Sequence, residues 1–148
     1  MKTLVIPFRQ VGAAIVEFAI VSVLFFTLLI GIMEMGRVLF YWNTATELTR
    51  MGARMAVVCD PNDVGLVQNK IANFYPLIPK EAVVVSYEPG GCTVDTCQDV
   101  TVTVQSGVPV DSLVPLIPLH LTLPEFRTTL PRESLRSQVD GVNNPVCN

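Results

Sequence analysis

The sequence predicts an α+β protein: one long N-terminal helix, transmembrane in its first half, then a small antiparallel sheet of about three strands with a short extra helix. Three observations carry this. Residues 18–33 form an apolar run without a single charge. No proline occurs from residue 13 to residue 58, so nothing there removes a helical hydrogen bond. Further on, Val100-Thr101-Val102-Thr103-Val104-Gln105 alternates strictly, the period of a half-buried strand.

Residues 1–12 read as a short leader carrying Lys2 and Arg9, with Pro7 opposing an early helix. A continuous helix is expected over residues 13–58, roughly 65–70 Å long, so its second half must project from a bilayer. The spanning part is placed at residues 18–42, about 25 residues or about 37 Å, enough to cross with some tilt. Phe40, Tyr41 and Trp42 form an aromatic cluster suited to the outer interface. Lys2 and Arg9 precede the run with no acid beside them, which predicts a cytoplasmic N-terminus and an outer C-terminal domain. A cleaved secretory signal would have an apolar core of roughly 7–15 residues before a small-x-small site. Here the run is longer, and Glu34-Met35-Gly36-Arg37 follows it.

Past the span, Ala45, Thr49, Gly52, Ala53 and Ala56 make a stripe of small residues, and Leu48, Met51, Met55 and Val58 an adjacent apolar one. Small residues let helices approach closely. That face can pack on the protein's own domain or on helices of other subunits.

The remaining domain covers residues 59–148. Asp60-Pro61-Asn62-Asp63 is a stop followed by a new N-cap. An amphipathic helix over residues 64–74 sets Val67, Ile71 and Phe74 on one side, and Pro76 and Pro79 end it. A strand over residues 82–88 and another over residues 100–105 should pair as a hairpin across Pro89-Gly90-Gly91. Residues 108–119, apolar with Pro109, Pro115 and Pro118, are expected to fold over the sheet rather than lie on the membrane surface. Residues 121–130 read as a third strand, with Pro124 placing it at an edge or bulge. The tail, residues 131–148, is expected as a short helix or coil. All four cysteines lie beyond the span, which fits disulfides in an oxidising compartment. Three pairings are possible. The favoured one joins Cys92 to Cys97 at the hairpin tip and Cys59 to Cys147 at the chain end.

Little here suggests catalysis. His120 is the only histidine and sits among apolar residues and prolines. No triad, phosphate loop or metal-ligand spacing can be assembled, so neither enzyme activity nor a cofactor is expected. The net charge of −3 offers no basic field for nucleic acid. The anomaly is Glu17, a carboxylate at the edge of the apolar run, costly there unless partnered. Gly12 lies upstream of it, where a small residue suits a protease cut. Glu34 and Arg37, one turn apart at the outer end of the span, can pair with each other or with partner subunits.

Three spaced segments, Gly12-Ala13-Ala14-Ile15-Val16-Glu17-Phe18, then Gly31-Ile32-Met33-Glu34-Met35-Gly36-Arg37, then Thr49-Arg50-Met51-Gly52-Ala53-Arg54-Met55-Ala56, resemble the TadE-like family. These are pilin-like proteins of the tight-adherence (Flp) subclass of type IV pilus systems. The resemblance implies a type IV pilin-like fold and the role of a minor pilin or pseudopilin. It implies that a prepilin peptidase cuts after Gly12, making Ala13 the new N-terminus. Phe18 stands where the family pattern often has tyrosine. The implied partners are that peptidase, other pilin-like subunits (the major Flp pilin and a second pseudopilin), the assembly platform of the bacterial inner membrane, and membrane lipid. Cleavage would create an ammonium at Ala13 that Glu17 of a neighbouring subunit can meet. The alternative is an uncleaved single-span envelope protein whose outer domain binds another envelope component.

Overall fold

The computed structural model describes residues 9–110, 112 and 121–147. The first eight leader residues, most of the proline-rich stretch and His120 lie outside the described residues.

Helix α1 runs from Arg9 to Ala56, 48 residues without a break. It begins four residues before the expected Ala13, because Pro7 lies upstream and Arg9, Gln10 and Val11 tolerate helical backbone. It ends two residues early. The Val57 amide still donates to the Ala53 carbonyl and the Cys59 amide to the Met55 carbonyl, and then Asp60-Pro61 stops the ladder.

The chain divides into two units, residues 1–37 and 38–148. The described part of the first is the apolar half of α1. Its apolar side chains face outward, Phe18 at 74% exposure and Leu28 at 68%, as expected of a surface made for something other than water. Thr27 Oγ1 donates to the Val23 carbonyl at 2.7 Å, which satisfies that hydroxyl within the helix.

The second unit has its own core. Strand β1 (Val83–Glu88) pairs antiparallel with β2 (Asp99–Val104), with Val85 opposite Val102. Two residues at Pro109–Val110 form β3, which pairs with β4 (Leu121–Thr122). Strand β5 (Phe126–Pro131) returns along the other edge of β2, giving the order β1-β2-β5. The expected single strand over residues 121–130 is therefore two strands in two sheets. Pro124 has no amide hydrogen for a ladder, so the chain changes partners there.

Val100, Val102 and Val104 are fully buried in the central strand. The second half of α1 packs on them. Ala45, Thr49, Gly52, Ala53 and Ala56 are all buried within this unit, which makes the small stripe a seat for the sheet. Gly52 shows why small residues are required. A Cβ there would meet Ile71 Cδ1 at 2.7 Å and Val102 Cγ1 at 3.2 Å. Gly52→Leu should lower unfolding stability by about 2 kcal/mol through overpacking. Gly52→Ala should come out near neutral, since a helix-propensity gain of about 1 kcal/mol offsets the displaced Ile71 methyl. Denaturant titration of both variants checks this.

Helix α2 (Val64–Phe74) has the expected bounds. Asp60 caps the preceding 3-10 turn by accepting from the Asn62 amide at 2.9 Å. Val67 and Ile71 are buried, and Gln68 Nε2 donates to the Val83 carbonyl at 2.7 Å, tying α2 to the edge strand. Phe74, expected on the same side as these two, is instead 58% exposed.

Most of the described tail is coil, as expected, but it also holds a small sheet. Strands β6 (Gln138–Val139) and β7 (Val142–Asn143) form a hairpin. Asp140 (φ 51°) and Gly141 (φ 79°) both take positive φ, as a two-residue type I′ turn requires. Two disulfides close the unit. Cys59 pairs with Cys147, Cα atoms 5.5 Å apart and 88 residues apart in sequence. Cys92 pairs with Cys97 inside the β1–β2 connection.

Candidate functional site

The residues singled out at the N-terminal end of the apolar run lie on one continuous helix. Ala13 and Glu17 are separated by four residues, so they stand one turn apart on one side of α1. Residues 12–17 are all exposed. A glycine inside a helix costs roughly 1 kcal/mol relative to alanine. At Gly52 close packing explains it. At Gly12 a Cβ would meet nothing within 4 Å. Nothing described in this chain therefore requires Gly12 to be small, and a reason outside the chain is needed.

Glu17 makes no ion pair among the described residues. A carboxylate beside an apolar surface favours a cationic partner if the site loses water. The arrangement thus offers a small residue at a potential cut, a potential new ammonium at Ala13, and an acid one turn later. Further along the same unit, Glu34 is 9% exposed and Arg37 half-buried. Gly31 and Gly36 also face open space, which suits close approach by another helix.

The packing stripe and the disulfides belong to the second unit and support it structurally. Near the end of α1 the Tyr87 hydroxyl lies 3.5 Å from the Ala56 carbonyl. Burial, followed by the carboxylates of Asp60 and Asp63, pushes its phenol up to about 12. It therefore stays neutral at ordinary pH.

One surface escaped the sequence reading. Phe40, Asn43, Thr44 and Glu47 of α1 face Phe74, Tyr75, Pro76 and Leu77 across an open groove, all within the second unit. The spacing of Val67, Ile71 and Phe74 suggested a common buried side. Tyr75-Pro76 ends the helix at that point, and the turn leaves Phe74 outside.

No curated protein and no solved structure matches this chain. The model of the family described as TadE-like protein matches residues 12–54, which begin at the candidate cut and end within the packing stripe; over that segment the chain is similar to that family.

Proposed function

We propose that this protein is a minor pilin or pseudopilin of a tight-adherence (Flp) pilus, cut after Gly12 by a prepilin peptidase and structural rather than enzymatic in role. It is held in the bacterial inner membrane by α1, with its N-terminus in the cytoplasm and residues 38–148 on the periplasmic side. From there it enters pilus assembly or initiation, and so contributes to adhesion and biofilm formation. The family match supports a place in a pilus system of this kind. The observation that carries the finer reading is the pairing of Gly12, for which the chain shows no packing reason, with an exposed Glu17 one turn past the cut.

The reading gives each charged group work. The ammonium freed at Ala13 meets Glu17 of a neighbouring subunit. Such a pair adds little net stability compared with apolar packing, but leaving either charge unpaired and desolvated is costly. Wrong registers are thereby penalised. Exposed Gly31 and Gly36 admit the neighbouring helix, and Glu34 with Arg37 adds a second polar contact at the outer end. The partners are the peptidase, the major Flp pilin, a second pseudopilin and the assembly platform.

The test is the intact mass of the membrane-extracted protein from cells with and without the system's prepilin peptidase. The expected result is a chain beginning at Ala13 only when the enzyme is present. An uncut chain in both strains would sink this reading and favour a plain membrane anchor whose outer domain binds another envelope component.

A further inference from the structure

The groove missed from the sequence has a gradient. Its most apolar walls are Phe40, Phe74, Pro76 and Leu77, with Phe40 at 59% exposure and Phe74 at 58%. Asn43, Thr44 and Glu47 follow Phe40 along α1 and are polar. Thr44 Oγ1 donates to the Phe40 carbonyl at 2.8 Å, so that hydroxyl needs no water. Lys80, three residues past Leu77, is exposed.

We propose that this groove rests in the headgroup layer of the bilayer, with Phe40, Phe74 and Leu77 inserted toward the acyl chains. The inference rests on the reading that α1 crosses the membrane. Hydrocarbon roughly 30 Å thick takes about 20 helical residues. Counted from Phe18, that brings the outer boundary to about Arg37, short of the residue 42 expected from sequence, since Tyr41 is buried in the core of the second unit. The polar layer beyond it, roughly 5–7 Å deep, takes another four or five residues and contains Phe40. Aromatic side chains are favoured at that level. Past Phe40 the α1 wall of the groove turns polar, in the direction in which the interface becomes wetter.

The full-length chain carrying Trp42→Phe has no tryptophan, because Trp42 is the only one. Adding Phe74→Trp puts a single indole on the groove. Reconstituted in phosphatidylcholine–phosphatidylglycerol vesicles, it should lose emission when the lipids carry bromine near the glycerol end of the acyl chain. Unchanged emission overturns the proposal. Added iodide then tells why: quenching means the groove faces water, and protection means protein covers it. A parallel chain with Trp42→Phe and Phe25→Trp reports on the span. If deeply brominated lipid fails to quench that indole, α1 does not cross the bilayer and both readings fall. If Phe25→Trp is quenched and Phe74→Trp is not, only the groove proposal falls.

Discussion

Replacing Cys59 and Cys147 by serine should lower the melting temperature of the outer domain by roughly 15–30 °C, the largest effect expected of any change outside the span. The size follows from loop length. The bond joins residues 88 apart in sequence, and closing a loop of that length in the unfolded chain removes entropy worth about 4.5 kcal/mol. It also anchors the β6–β7 hairpin, whose Val139 and Val142 are exposed and add little core. Among the described residues this segment is also tied by Ser137 Oγ, which accepts from the Asp60 amide at 2.9 Å, and by the Lys70 ammonium, which donates to the Pro145 and Val146 carbonyls. By contrast, Cys92 and Cys97 are 5 apart in sequence, and removing that pair should cost only about 2 kcal/mol. Thermal melts of both double variants, as full chains in detergent, give the order. Equal losses would show that chain entropy does not set it.

Glu17→Ala should leave processing after Gly12 intact and reduce recovery of the cut subunit in sheared pili by roughly a hundredfold. The variant abandons the neighbour's ammonium in a water-poor bundle, and breaking a buried pair from one side costs about 3–5 kcal/mol. Glu17→Gln keeps the shape and loses the charge, so it should fail nearly as badly. The readout is the ratio of subunit in the pilus fraction to subunit in the membrane, by immunoblot. Wild-type recovery of Glu17→Ala would remove the charge pair from the proposed mechanism while leaving cleavage untouched.

What could be read from sequence follows a physical division. α1 was legible because forty-odd residues without proline leave few alternatives to a helix, and α2 because Asp60-Pro61 and Pro76 bracket it. Strands β1 and β2 were legible as a hairpin because two valine-rich runs, the second strictly alternating, flank a Pro-Gly-Gly turn. The misses lie where tertiary context decides. Pro124 announced an irregularity, but whether it bulges one strand or splits the chain between two sheets depends on what β2 and β3 offer as neighbours. The tail hairpin did carry its own signal, Asp140-Gly141 between valines, overlooked in so polar a segment. At the candidate site, Gly12 and Glu17 were visible as chemistry. The structure adds that Gly12 has open space around it, which sequence cannot show. Phe74 was the instructive error: helical spacing gives the direction of a side chain, and the last turn of a helix need not have anything packed there.

The bond from Cys59 to Cys147 has a topological consequence. It turns residues 59–147 into a covalent ring hung from the end of α1. A protease that cuts once within this ring, at the exposed Gly90-Gly91 turn for instance, opens the ring but frees no fragment. The first half remains fastened to α1 through the main chain, and the second through the bond from Cys147 to Cys59. Shedding the domain requires a second cut, or a reductant as well as the first. A chain nicked there would thus keep all its parts, and on a non-reducing gel it would run as one species.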